Sequence, residues 1–330
     1  MNSRLKQSLY ILLTVSIAIG LMGCGKAESD SQAAKKELAK VEPAADAVKQ
    51  DQDDLINKFN TVVHTAKEAS DIVSFLNENL NKAGQNNADR MVRELYDFYN
   101  KDVQIAQKAF MSADVQNVLT DMDWPITSAN AGSIPDNAVR QLVVTKLSGG
   151  YKLVWVEGTI YPIVDYSMQH KYSSYLSRPL NSYIALKAAE SEEPAARDAG
   201  LVITWDELAS RAIMTEAFLK EYPDSPDYTE VKNLFLDNYL RMFINGLANS
   251  PIFDMKTLKI VPEVKSSYLK TYSQSPNTIT GIMAKHFLAI LDKTDDVGLL
   301  RGPGGTKLLQ EVDQFQKNYR REAVTLFTGE

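Results

Sequence analysis

The sequence has few of the residue types that build covalent or metal-bound frameworks. Its 330 residues include one cysteine and three histidines. One cysteine cannot form a disulfide within its own chain, and it cannot supply a cysteine-based zinc site. The histidines at 64, 170 and 286 are far apart in sequence and form no H-E-x-x-H pattern. We therefore expect neither a metal ion nor a cofactor.

The sequence also lacks a surplus of basic residues. Asp and Glu number 42 against 36 Lys and Arg, which gives a formal net charge of -6. Proteins that bind nucleic acid usually carry a basic surplus that neutralises phosphates, so nucleic acid is not an expected partner. Apolar residues are not scarce, since 44% of the chain is hydrophobic. A folded protein with an ample core is expected.

The N-terminal residues form the pattern of a secretory signal. Arg4 and Lys6 precede an apolar stretch over residues 9–22, which is the order of the basic and hydrophobic regions of a signal peptide. The stretch runs into LMGC at residues 21–24. This segment resembles the lipobox of bacterial lipoproteins, in which an aliphatic residue is followed by two tolerated positions, the second of them small, and then by cysteine.

The resemblance implies that residues 1–23 are removed as a signal peptide and that Cys24 carries a diacylglyceryl thioether. Two acyl chains anchor a protein stably, whereas one gives only marginal binding. The alternative is an uncleaved transmembrane anchor, because the uncharged stretch between Lys6 and Lys26 is close to the minimum of roughly 18 residues that can span a bilayer. The small residues at its end and the position of the single cysteine favour the lipoprotein.

Residues 24–50 have the composition of a flexible tether. They contain no aromatic residue, and Leu38, Val41 and Val48 are their only aliphatic residues larger than alanine. Such a tether holds a folded body away from the bilayer. We therefore expect a protein in the cell membrane, anchored through lipid on Cys24 and facing the extracytoplasmic side.

Helical periodicity begins at Leu55. Apolar residues from Leu55 to Leu80 recur in steps of four and three, which predicts one continuous helix, and a second stripe runs from Val92 to Phe110. A short polar break separates the two stripes. An antiparallel αα-hairpin within a helical segment over 51–133 is therefore predicted.

A β-hairpin is predicted at the start of the second segment, residues 134–330. Residues 140–147 and 151–156 are rich in β-branched and aromatic side chains on either side of a Gly-Gly turn. Residues 159–165 could extend this pair as an edge strand.

The remaining sequence predicts helices. Thr204, Pro262 and Thr278 stand at positions that begin helices. The predicted fold class is mainly α, a multi-helix bundle with an N-terminal αα-hairpin and one inserted β-hairpin. Residues 51–330 can form two domains divided near 133 or one compact unit.

Polar and aromatic residues gather around the predicted hairpin. Trp155, Glu157, Tyr161, Asp165 and His170 fall in one short stretch and form a candidate binding surface. Paired carboxylates can do acid–base work. The alternative is that the aromatic residues fill the seam between hairpin and helices while the carboxylates are solvated or cap helices.

Other patterns for catalysis or anion binding are weak. Ser267 and Lys270 fit the S-x-x-K pattern, but the companion S-D-N and K-T-G elements are missing. We expect Ser267 on a solvated helix face. The glycine-rich residues 301–307 lack P-loop spacing, so a connector before a helix is expected there rather than an anion site.

The sequence favours a non-enzymatic binding or scaffolding module of the cell envelope, with an envelope protein or the cell wall as partner. One alternative is an envelope hydrolase that acts on peptidoglycan or peptides through Glu157, Asp165 or Ser267. Another is the solute-binding protein of a transporter. No catalytic residue is assigned, and enzymatic activity is left open.

Replacing Cys24 by alanine should abolish lipid attachment, because the thioether would form on the cysteine sulfur. In cells grown with a labelled fatty acid, the wild-type chain should carry label and the Cys24→Ala chain should carry none. Equal label on both chains would contradict the lipobox interpretation.

Overall fold

A computed structural model describes residues 49–328. The predicted signal peptide, Cys24 and all but the last two residues of the predicted tether lie outside the described residues. Most of the described chain is helical, and its strands form two-stranded antiparallel sheets, which confirms the mainly α fold class. Residues from Gln52 onward belong to one compact unit. No helix within 49–328 is both long enough and apolar enough to cross a bilayer.

The helices are α1 (residues 49–65), α2 (Ala69–Asn79), α3 (Gln85–Phe110), α4 (Ala113–Thr120), α5 (Asn137–Ser148), α6 (Arg178–Glu192), α7 (Trp205–Glu221), α8 (Tyr228–Asn233), α9 (Leu240–Asn245), α10 (Pro262–Gln274), α11 (Ile279–Asp292) and α12 (Gln310–Thr328). A π-helical turn, Leu234–Tyr239, joins α8 to α9, and a 3-10 segment, Tyr166–Tyr175, precedes α6. The strands are β1 (Tyr151–Val156), β2 (Thr159–Val164), β3 (Ala196–Arg197), β4 (Gly200–Leu201), β5 (Leu299–Gly302) and β6 (Gly305–Leu308).

The first predicted helix is in fact two helices. α1 ends at residue 65 and α2 begins at Ala69, so the prediction of one helix from Leu55 to Leu80 was wrong. The Asp71 carboxylate accepts hydrogen bonds from the backbone N–H groups of Lys67 and Glu68 at 3.1 and 3.3 Å, which satisfies donors at a new helix start. Beyond the break, α2 and α3 pack together across a short turn as an αα-hairpin.

Residues 140–147, predicted as a strand, belong to α5. The Asp136 carboxylate caps this helix and accepts from the Val139 N–H at 2.9 Å. Buried apolar residues recur one helical turn apart, at Val139, Val143 and Leu147. The β-branched residues that suggested a strand therefore form the inner face of a helix. Gly149 and Gly150 follow the last turn of that helix and do not form the turn of a β-hairpin. Gly150 has a φ of +82°, a positive value that is common where helices end.

The β-hairpin forms one strand later than predicted. β1 pairs with β2, with Tyr151 opposite Val164 and Val156 opposite Thr159. The two-residue turn between them consists of Glu157 and Gly158, whose φ angles are +48° and +79°. Positive φ at both turn residues is the geometry that joins twisted antiparallel strands tightly. The strand predicted over residues 159–165 is thus the partner of β1.

Two shorter hairpins were not predicted. β3 pairs with β4, and β5 pairs with β6. The glycine-rich residues 301–307 lie in the β5–β6 hairpin, and α12 begins only at Gln310. These residues are a connector, as expected. They form the turn of a β-hairpin, however, and do not lead directly into a helix.

Several predicted helix starts are confirmed. The Thr204 and Thr278 hydroxyls accept hydrogen bonds from the N–H groups of Glu207 and Gly281 at 3.1 and 3.0 Å. Pro262 is the first residue of α10. Caps and N-terminal prolines act within one turn of chain, so the sequence suffices to place them.

The apolar core extends through the helices and beneath the β-hairpin. A large cluster of buried side chains extends from Ile56 in α1 to Ala323 in α12, and a smaller cluster packs Phe110 of α3 against Ile160 of β2. Lys146 of α5 is also buried, with 4% of its surface exposed. Its ammonium group contacts the Glu68 carboxylate and lies 3.2 Å from Asp102 Oδ2, which also accepts from the Tyr151 hydroxyl.

Replacing Asp102 by alanine should lower the free energy of unfolding by about 3 kcal/mol, because it removes one of two carboxylates that compensate a buried ammonium group. Asp97→Ala, at an exposed position on the same helix, should cost less than about 0.5 kcal/mol. Urea denaturation of both variants measures the difference, and similar small losses would contradict the role assigned to Asp102.

Candidate functional site

A groove lies beside the outer face of the β-hairpin. It contains two cavities, of about 570 and 520 Å³, whose walls share Ile163 of β2 with Glu190 and Ser191 of α6. Cavities of this size hold small ligands. We name the first the amide cavity, the second the tryptophan cavity, and the two together the hairpin groove.

The amide cavity takes its name from three asparagines. Asn100 of α3, Asn233 of α8 and Asn238 of the π-helical turn line it with exposed side chains. Within residues 49–328 these three amide groups make no hydrogen bond to the protein. Each amide offers one acceptor oxygen and two donor hydrogens. A ligand in this cavity therefore meets several unused donors and acceptors.

The π-helical turn forms one wall of the amide cavity. Phe235, Leu236 and Tyr239 are buried in the core, while Asp237 and Asn238 line the cavity. A π-helical turn holds more residues than an α-helical turn, which shifts the side chains that follow it, and such turns are frequent at functional sites. The turn thus combines a large apolar inner face with a polar outer one.

Lys187 and Glu230 form an ion pair in the amide cavity. Lys187 Nζ donates to Glu230 Oε1 at 2.8 Å, the Tyr183 hydroxyl donates to Glu230 Oε2 at 2.7 Å, and Lys187 Nζ lies 5.1 Å from the centre of the Tyr166 ring. Burial alone would raise the pKa of Glu230, but the hydrogen bonds from Lys187 and Tyr183 lower it below its usual value. Burial would lower the pKa of Lys187, but Tyr166 and Glu230 together raise it. Both groups therefore stay charged at neutral pH.

The negative charges of the other two carboxylates in the amide cavity are also balanced by arginine side chains. Glu190 Oε1 accepts hydrogen bonds from Arg211 at 3.2 Å and from the Tyr239 hydroxyl at 2.7 Å. Asp237 Oδ1 accepts from Arg320 Nε at 2.7 Å. Each negative charge in the wall thus has a cationic partner, and the cavity offers a ligand no uncompensated carboxylate.

Aromatic rings line the tryptophan cavity. Trp124 and Trp155 meet edge to face, with ring centres 5.6 Å apart, and are 38% and 40% exposed. Val154, Tyr161 and Ile163 present the outer face of the β-hairpin, because alternate strand residues point to the same side. The cavity therefore offers partly exposed aromatic surface next to the amide cavity.

The hairpin groove contains two of the five residues of the predicted binding surface. Trp155 and Tyr161 line the tryptophan cavity. Glu157 is exposed in the hairpin turn, and His170 is exposed in the 3-10 segment. Asp165 caps that segment, accepting hydrogen bonds from the N–H and hydroxyl of Ser167 at 3.2 and 2.6 Å. The structure thus places the two aromatic residues in the lining of one cavity, although they lie on opposite faces of the β-hairpin. The three polar residues lie outside the groove.

Ser267 does not lie on a solvated helix face, contrary to the prediction. It is 1% exposed, because α10 packs against both α7 and α11 and turns this residue inward. Lys270 instead donates to Asp206 Oδ2 of α7 at 2.6 Å.

The residues of the amide cavity were not identified from the sequence. They come from α3, β2, the 3-10 segment, α6, α8 and the π-helical turn, which are spread along the sequence, and asparagine in a helix carries no pattern that marks a binding site. Among residues 49–328, no group of three or more His, Cys, Asp or Glu could hold a metal ion.

No protein-family model, curated protein or solved structure matches the chain.

Replacing Glu230 by glutamine should destabilise the protein at neutral pH and have less effect in acid. The folded-state pKa of Glu230 lies below its usual 4.5, so the stabilisation by its carboxylate is present above that pH and is lost as the pH falls through the lowered value. Because the side chain is 55% exposed, the loss at neutral pH should be no more than about 1 kcal/mol.

Urea denaturation at neutral pH and at about pH 3 checks this dependence. The matched control is Glu78→Gln, which changes an exposed glutamate of α2 and should alter stability at neither pH. A Glu230→Gln effect that is the same at both pH values would contradict the ion pair.

Proposed function

We propose that this chain is a lipid-anchored binding protein of the cell envelope and that the hairpin groove is its ligand-binding site. The observation that carries the binding function is a groove with three unused amide groups beside partly exposed tryptophans. The LMGC sequence and the composition of residues 24–50 support an anchor at Cys24 and an extracytoplasmic location. The partner would be an envelope protein or a component of the cell wall.

The charges of the groove favour binding over acid–base catalysis. A general acid or base must exchange a proton near the working pH. The lowered pKa of Glu230 keeps it ionised, and Glu190 is held by two donors. The positions on which a hydrolase would depend lie elsewhere, with Glu157 in the hairpin turn and Ser267 buried in α10. Groove carboxylates held in this way orient side chains and ligands rather than transfer protons.

Thiol labelling in the full chain tests whether the groove is occupied in the envelope. Val103→Cys introduces a thiol into the wall of the amide cavity, and Val144→Cys introduces one at an exposed position of α5. A lipidated Cys24 carries a thioether, so the introduced cysteine would be the reactive thiol. Labelling at 103 should be slower in intact envelopes than in purified protein, by about threefold if two thirds of the sites are occupied.

Val144→Cys is the control for general access of the reagent, and its labelling rate should be the same in envelopes and in purified protein. An equal change of rate at both positions, or no change at 103, would refute a groove ligand in the envelope.

A further inference from the structure

We infer that the ligand of the hairpin groove is an uncharged oligosaccharide. This inference rests on the proposed function, because it names the class of ligand for the same groove. Three properties of the groove lead to it: the pairing of all charged side chains in the amide cavity, the unused amide groups, and the aromatic surface beside them.

The charge balance of the groove selects a neutral ligand. In the amide cavity, Lys187 is paired with Glu230, and Glu190 is paired with Arg211. A charged ligand would lose its hydration there without meeting an uncompensated opposite charge, which is costly. In the tryptophan cavity Lys152 lies 3.9 Å from Asp165, and Glu192 and Arg197 add one charge of each sign to the wall. The amide cavity, in which each charged side chain has an ion-pair partner, therefore favours groups that form hydrogen bonds without carrying charge.

The amide groups select a ligand with many hydroxyl or N-acetyl groups. Asn233 and Asn238 approach from the α8 side and Asn100 from α3, so donors and acceptors face the cavity from two walls. A hydroxyl group both donates and accepts, and so does a side-chain amide. An aliphatic ligand would leave these groups unpaired, at a cost for each one buried. Sugar hydroxyls can pair with them in either direction.

The aromatic side chains select a ligand with apolar faces between its polar edges. A sugar ring has this character, because its C–H groups form flat apolar patches while its hydroxyls project from the rim. Trp155 and Tyr161 offer ring surface whose negative π face attracts such C–H groups. The two adjoining cavities, about 570 and 520 Å³, together provide room for several linked sugars.

Calorimetric titration of the full chain in detergent with the neutral tetrasaccharide of N-acetylglucosamine tests the inference. We expect saturable binding. The double variant Asn233→Ala, Asn238→Ala should weaken it by about tenfold, since at least two hydrogen bonds are lost, and Trp155→Ala should weaken it by a similar factor. Asn57→Ala, at an exposed position of α1, should leave the affinity unchanged. Circular dichroism of each variant checks that it is folded.

The same titration with the deacetylated, cationic tetrasaccharide and with a neutral tetrapeptide tests the ligand class. Both should bind at least about tenfold more weakly than the acetylated sugar, because one brings charge and the other lacks hydroxyl-rich edges. Tighter binding of the peptide, or sugar binding that the groove variants do not alter, would overturn the inference. So would the absence of sugar binding. In that last case, slower labelling of Val103→Cys in envelopes would still support the groove as a binding site for another ligand.

Discussion

The buried guanidinium group of Arg211 links two of the elements that form the hairpin groove, α6 and the π-helical turn. Arg211 lies on α7 and is 5% exposed. It donates to the Glu190 carboxylate at 3.2 Å and to the Glu193 carbonyl, at the end of α6, at 2.7 Å. Glu190 in turn accepts from Tyr239 of the π-helical turn. One cation thus ties α6, α7 and the π-helical turn together, and the carboxylate that it holds lies in the walls of both cavities.

The ion pair between Arg211 and Glu190 contributes more to the geometry of the groove than to the free energy of unfolding. Burial alone would lower the pKa of Arg211, but its carboxylate partners raise it, so the group stays charged. Buried ion pairs often add little to stability because of the cost of desolvation, although loss of one partner is expensive. In the groove, the pair fixes the wall before a ligand arrives. A site whose polar groups are already ordered loses less conformational entropy on binding.

The sequence predicts the local features of this fold better than its long-range ones. Thr204, Pro262 and Thr278 could be placed because a cap depends on one turn of chain. The α5 residues were misjudged because adjacent valines suit both a strand and the inner face of a helix, and the Asp136 cap decides between them. The break at Glu68 was missed because apolar spacing continues across it.

In the candidate site, the local sequence pattern identified Trp155 and Tyr161 but not the asparagines. The aromatic residues were found because they stand close together in one stretch of sequence. Asn100 and Asn238 come together only when α3 packs near the π-helical turn and β2, and no local pattern encodes that packing. Ser267 was placed wrongly for a related reason, since its burial depends on the two helices that pack against α10.

Hydrogen–deuterium exchange of the full chain, compared between intact envelopes and detergent solution, tests whether the hairpin groove holds a ligand in the envelope. We expect slower exchange in envelopes for β2 and for the π-helical turn, with β5, β6 and α12 unchanged. Equal exchange of all segments in the two settings, or protection confined to α12, would contradict it.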